Sequence, residues 1–177
     1  MPDRPQLRLQ PMTERHLADF AGVVNDPEVA RFTRFPAPAP DTFAREWYAR
    51  YEAGRLAGTH EAFAALDPDG RFVGLALAPH LDAEAREAEL GYLVPVEQRG
   101  RGVASELLRQ LTDWAFAERE ILRAGLVIDV ENVASQRVAV RAGYRHEGTM
   151  RSTYFKQGLR SDVQIWSRLP SDPPPDC

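Results

Sequence analysis

Two glycines and two arginines alternate at Arg99-Gly100-Arg101-Gly102 and lead straight into an amphipathic stretch. A helix start exposes unpaired N–H groups and carries a partial positive charge. Glycines lacking side chains let those N–H groups close on a phosphate, and the two arginines add charge that can pair with its oxygens. The run Arg99, Gly100, Arg101, Gly102, Val103, Ala104 therefore reads as a diphosphate loop. A plain glycine turn with two solvated arginines competes with it on about even terms. A dinucleotide fold would want a third glycine where Ser105 stands, and would set its glycines against the strand end, whereas Pro95 to Gln98 intervene. A nucleoside-triphosphatase loop needs Gly-Lys-Ser/Thr, and the chain has no such triplet.

Other chemistry-bearing residues are sparser. His16, His60, His80 and His146 show no metal-ligand spacing, so no metal is expected. Asp82, Glu84, Glu87 and Glu89 form an acidic run that could attract a cationic amine, although a solvated loop is the better account of the first three. Phe43, Trp47 and Tyr51 recur at helical spacing, which is the pattern of a packed core face.

The elements that must position these residues follow from periodicity. Leu7 to Leu9 alternates as a short strand. Thr13 stands as a helix N-cap, with His16 where a capping box would have Glu, and helix is predicted over 14–25 and again over 28–32. Asp41 follows a proline-rich connection and should cap a helix to about Glu52. Strands follow at 62–66 and 72–78, joined by the turn Asp67-Pro68-Asp69-Gly70, and again at 86–94. A long amphipathic helix is predicted from Gly102 to about Arg119, then a buried strand at 126–130. A helix over 133–142 should stop at Gly143, before two last strands near 144–155 and 161–169. The order is that of a mixed α/β or α+β domain.

Composition sets the outer bounds. The 177 residues suit one domain, taken as 1–169, with a Pro-rich tail at 170–177 expected to be disordered. A net charge of -4 argues against bulk nucleic-acid binding. A single cysteine, Cys177, cannot form an intrachain disulfide, and no apolar run is long enough for a signal peptide or a membrane span. A cytoplasmic protein is the expectation.

Several blocks taken together resemble the GNAT superfamily of N-acetyltransferases. Its Arg/Gln-x-x-Gly-x-Gly/Ala signature is filled by Arg99, Gly102 and Ala104. A second block is Asn132-Val133-Ala134-Ser135, Val138, Gly143-Tyr144, Glu147-Gly148 and Arg151; a third is Gly158, Arg160, Asp162 and Trp166. These, with Leu9 to Glu14 and Asn25 to Glu28, resemble the RimJ/RimL-like branch, whose members acetylate protein α-amino groups or small amines. The resemblance spans roughly 7 to 169.

It implies an α+β fold with a mostly antiparallel sheet of six to seven strands, splayed at the coenzyme site and flanked by helices. Acetyl-CoA is then the co-substrate, with its pantetheine arm along Leu93 and Val94 and its diphosphate on the N–H groups from Arg99 to Ala104. Asn132 resembles the asparagine that contacts the arm, and it also suits a helix N-cap. Glu89, in Glu89-Leu90-Gly91-Tyr92, is the implied base, with a strand carboxylate paired to an arginine as the competing reading, and Ser135 the residue that would hydrogen-bond the coenzyme sulfur or protonate the thiolate. An N–H near Leu93 is the implied oxyanion donor. Many of the superfamily's enzymes place a tyrosine seven residues after the asparagine; here Ala139 stands there. The acceptor is expected to be a small-molecule amine or a protein N-terminus, with no nucleic-acid or membrane partner and with a homodimer left open. A non-catalytic acyl-CoA-binding domain is the alternative of a different class.

Overall fold

The computed structural model describes residues 4–175. Its seven strands are β1 (Arg8–Pro11), β2 (Glu61–Leu66), β3 (Phe72–Asp82), β4 (Glu87–Leu93), β5 (Arg123–Asp129), β6 (Arg145–Lys156) and β7 (Leu159–Arg168). They form one sheet in the order β1-β2-β3-β4-β5-β7-β6. Five helices accompany it: α1 (Leu17–Val24), α2 (Pro27–Phe32), α3 (Phe43–Leu56), α4 (Val103–Glu118) and α5 (Val133–Arg141). Every neighbouring pair is antiparallel except β4–β5. A parallel pair needs a crossover, and α4 supplies it.

Local chemistry accounts for most of the turns. Gly70 takes φ +79° and donates to the Asp67 carbonyl at 2.9 Å, closing the β2–β3 hairpin where it was predicted. Gly143, at φ +81°, ends α5 by donating to the Val140 carbonyl at 3.0 Å. At the first turn the Thr13 N–H donates to His16 Nδ1 at 3.0 Å, so histidine performs the reach-back that glutamate makes in a capping box. Asp41 does not cap α3. A turn with Phe43 N–H on the Pro40 carbonyl takes up residues 41 and 42, and the helix starts at Phe43. It also runs past Glu52 to Leu56, and in its last turn Gly54 lies against His60, where a Cβ would come within 2.6 Å of the histidine Cβ.

The sheet is covered on both faces. Along β3, Leu75 and Leu77 pack with α1–α3, while Ala76 and Ala78 pack with α4 and α5, the period of two expected of a strand. Val73 breaks the alternation and joins Ala76 and Ala78, because the register against β2 shifts there between Ala65 and Leu66. Leu107, Leu108, Leu111 and Ala115 of α4 are fully buried, and each leucine contributes about 1.5–3 kcal/mol of burial. Thr112 lies among them with its hydroxyl bonded to the Leu108 carbonyl and to Tyr144 Oη, both at 2.7 Å. Of the Pro-rich tail, Asp172 accepts from the Leu169 N–H and pairs with Arg145, and Pro175 lies beside Gly143; Cys177 is outside the described residues. Among the described residues no helix is long and apolar enough to cross a membrane.

Candidate active site

β4 and β5 pair over three residues only: Glu87 with Arg123, Ala88 with Ala124, and Glu89 with Gly125. Beyond that point β4 stays on β3 and β5 stays on β7, so the two strands part company. A cause is visible in β3. Ala78 and Pro79 stand between Leu77, opposite Gly91, and His80, opposite Glu89, so β3 carries a bulge facing Leu90. Bulges bend and twist their strands, and proline has no N–H for the ladder. The opening is a cavity of about 700 Å³, within the usual range for a small-molecule site. Backbone groups of Leu90 to Leu93 on the β5 side have no strand partner there, so an extended ligand can add to them as a strand would.

The glycine loop closes one end of the opening. Gly100 and Gly102 take φ +73° and +81°, values glycine adopts without steric cost. Gly102 is the N-cap of α4, its carbonyl accepting from the Glu106 N–H at 3.1 Å, and no side chain caps the first turn. The N–H groups of Val103, Ala104 and Ser105 therefore have no intrahelical acceptor, and all three residues line the cavity. Arg99 lines it too, but its guanidinium is engaged within the protein. Nε donates to the Val94 carbonyl at 3.2 Å, and Nη2 meets Asp26 Oδ1 at 3.0 Å. Asp26 also caps α2 by accepting from the Glu28 and Val29 N–H groups. Burial works to raise its pKa, but Arg99 and the two N–H donors outweigh burial and hold it below the usual range. Arg99 thus holds the loop to the end of β4 and to α2. Arg101 is the one predicted site residue that is not among those lining the cavity.

Alternation along β4 sorts the remaining groups. Glu89 faces α3, near Tyr51, at the point where the strands part. Burial in the cavity wall raises its pKa, against the charges of His80 and Arg34. Tyr92 faces the α4–α5 side, and its Oη donates to Ser135 Oγ across the cleft at 3.0 Å. Burial pushes this phenol up to about 12, with the Ser135 bond acting the other way. Asn132 Oδ1 accepts from the Ser135 N–H at 3.1 Å, so Asn132 caps α5 while also lining the cavity. Leu93 and Val94 line it as well. Ala139 is fully buried in the core, so the position seven after Asn132 presents no side chain to the cleft, whereas Val138 and Arg141 of the same turn line it.

The far end is aromatic. Phe35, Trp47 and Tyr51 line it, with Trp47 and Tyr51 stacked at 3.8 Å, so the α3 stripe is both core and pocket wall. Arg34 lies 5.1 Å over the Tyr154 ring, and Tyr154 Oη is buried with no hydrogen-bond partner among the described residues. Lys156 donates to the Ala30 and Thr33 carbonyls and so pins the β6–β7 hairpin to the C-terminal end of α2. Of the acidic run, only Glu89 reaches the cavity; Asp82 caps its own turn and Glu87 pairs with Arg123. Sequence reasoning missed Tyr92, Tyr154 and Arg34 as cavity groups. Their signals are weak, because tyrosines in strands are commonplace and Arg34 lies in an irregular loop. Among the described residues no cluster of histidine, cysteine and carboxylate could hold a metal.

A mixed sheet opened between two parallel strands, with a glycine-started helix at one end and a carboxylate at the other, is a cleft for a long anionic donor and a small second reactant. The GNAT acetyltransferase domain model matches residues 6–145. YdaF of Bacillus subtilis is 30% identical over 129 residues, which cover 73% of this chain and 68% of YdaF. Among solved structures, RimL, a ribosomal alpha-N-protein acetyltransferase in complex with coenzyme A, superposes with a TM-score of 0.86 at 20% identity, over 96% of each chain. Spermidine N-acetyltransferase from Vibrio cholerae, in complex with CoA and spermine, gives 0.83 at 22% identity, over 94% of this chain and 97% of that one. The chain belongs to the GNAT acetyltransferase family. Its reaction class is therefore acetyl transfer from acetyl-CoA to an amine.

Proposed function

We propose that acetyl-CoA lies in the β4–β5 opening with its diphosphate on the first turn of α4, and that a primary amine enters from the aromatic end to meet it beside Glu89. The observation that carries this reading is the parting of β4 from β5 directly after Glu89, in line with an uncapped helix start. The residues present suit the coenzyme. The N–H groups of Val103 to Ser105 form an anion site, and the unpaired flank of Leu90 to Leu93 suits an amide-bearing arm. Acetyl-CoA supplies a thioester, whose carbonyl carbon the amine attacks.

Glu89 acts as base, directly or through water, and takes the proton that the attacking nitrogen gives up. An N–H near Leu93 faces the oxygen on which negative charge develops. The N–C bond forms, the C–S bond breaks, and its electron pair stays on sulfur beside Ser135. The proton lost by the amine finally neutralises that thiolate, so atoms and charges balance. Asn132 supports Ser135 through the N-cap bond. The acceptor is a peptide α-amine or a small amine, and we place the reaction in the cytoplasm, in keeping with a sequence that holds one cysteine. The test is acetyl-CoA consumption, followed by thiol release, against N-terminal peptides and polyamines. Release with at least one acceptor is expected. CoA binding by calorimetry with no release for any acceptor would leave only a binding domain.

A further inference from the structure

Ser135 Oγ carries one hydrogen and can accept from other groups. In this structure it accepts from Tyr92 Oη at 3.0 Å, while the Ser135 backbone N–H is fixed by Asn132 at 3.1 Å. The phenol comes from β4 and the serine from α5, so the bond spans the cleft. With one lone-pair direction occupied by Tyr92, the serine's own hydrogen is free to turn into the cleft, where both side chains line the wall.

We propose that Tyr92 is a positioning residue for acetyl transfer: by donating to Ser135 Oγ it aims the serine O–H at the sulfur that leaves. The inference rests on the acetyltransferase reading and adds a residue to it. The phenol itself does not give up its proton. Held near 12, it is a weaker acid than an ordinary thiol, near 8.5, so transfer from phenol to thiolate runs uphill. Tyr92 stays protonated through the cycle, and its contribution is to hold and polarise the serine hydroxyl, since hydrogen bonds in a chain strengthen one another.

Tyr92→Phe removes one oxygen and keeps the ring. It is expected to lower kcat about tenfold and to leave the KM for acetyl-CoA within twofold. The Tyr92→Phe, Ser135→Ala double variant should be no slower than Ser135→Ala, because the phenol acts only through the serine. Additive losses, or an unchanged kcat in Tyr92→Phe, overturn the proposal. A second measurement is independent of turnover. With free CoA bound, the ultraviolet absorbance of the thiolate reports the thiol pKa, which Tyr92→Phe should raise by half a pH unit or more. A thiol pKa identical in wild type and Tyr92→Phe overturns the inference even if amines are acetylated. A raised one in a protein that acetylates nothing supports it while removing the acetyltransferase reading.

Discussion

Glu89 is held where two demands conflict. As a base it needs to be ionised, and burial in the cavity wall raises its pKa, disfavouring that form. Below the raised value the carboxyl is protonated and gives no help; above the amine's own pKa, about 7.7–8.0 for an α-amine, none is needed. Glu89→Gln should therefore lose most, about 100-fold, in the window between those two values, and the loss should shrink on either side. A pH profile of kcat/KM checks this, and a loss uniform across pH would remove the base role. Stability should respond in the opposite sense. A carboxyl whose folded pKa is raised binds more protons folded than unfolded, so its contribution is present at low pH and fades as pH rises through the folded pKa. At neutral pH Glu89→Gln should then melt slightly higher than wild type. Ser135 and Asn132 are legible in the sequence through the resemblance of their block to the GNAT superfamily, Asn132 also as a helix N-cap. Tyr92 could not, since its role depends on a partner 43 residues away.

At the scale of elements, the loop and α4 act as one part. Any side chain at residue 102 meets a left-handed backbone, φ +81°, which costs about 1–2 kcal/mol. Gly102→Ala should show that loss in a melt, with CoA affinity reduced only modestly. Gly102→Glu adds an anion at the start of the helix and should reduce CoA affinity at least 100-fold by calorimetric titration. Equal affinities in the two variants would place the diphosphate elsewhere. The other anchoring unit is Glu147 on β6. It pairs with Arg123 of β5 at 2.9 Å and accepts from Ser167 of β7, and the two hold its pKa at about 2. A depressed carboxyl stabilises above its unfolded pKa and stops doing so as pH falls through the folded one. Because the pair is well exposed, its contribution is screened and modest. Glu147→Gln should lower Tm by a few degrees at pH 7 and not at pH 2, by calorimetric melts at both.

Over the whole molecule, the two ends of the cleft are closed by distant parts of the chain. The loop after β4 is tied to α2 through Arg99 and Asp26, and the β6–β7 hairpin is tied to the same helix through Lys156. The loop end and the aromatic end of the cleft thus share α2 as a support. Lys156→Met should loosen the acceptor wall alone, raising the acceptor KM severalfold while CoA affinity holds; a fall in CoA affinity instead would show that the ends are not separable. Ligand binding gives a global readout as well. CoA at a hundred times its Kd should stabilise the protein by about 2.7 kcal/mol, roughly 5–10 °C in Tm for a domain of this size.

Local rules carried far in this chain. Hairpin turns, helix stops and the glycine loop are set by residues adjacent in sequence, because φ preferences and N–H exposure are local properties, and Gly70, Gly102 and Gly143 behave as their neighbours dictate. The run from Arg99 to Ala104 by itself reads equally as a phosphate loop or a glycine turn; the resemblance of the blocks around Asn132, Gly143 and Asp162 to the GNAT superfamily is what points to the donor. Tertiary structure decided what depends on distance. It engaged the Arg99 guanidinium with Asp26, kept Arg101 out of the cavity lining, let Trp47 and Tyr51 serve core and pocket wall together, and set Tyr92 against Ser135. Those outcomes follow from a bulge in β3 and a crossover through α4, which fix which strand flanks face each other; no window of neighbouring residues contains that information.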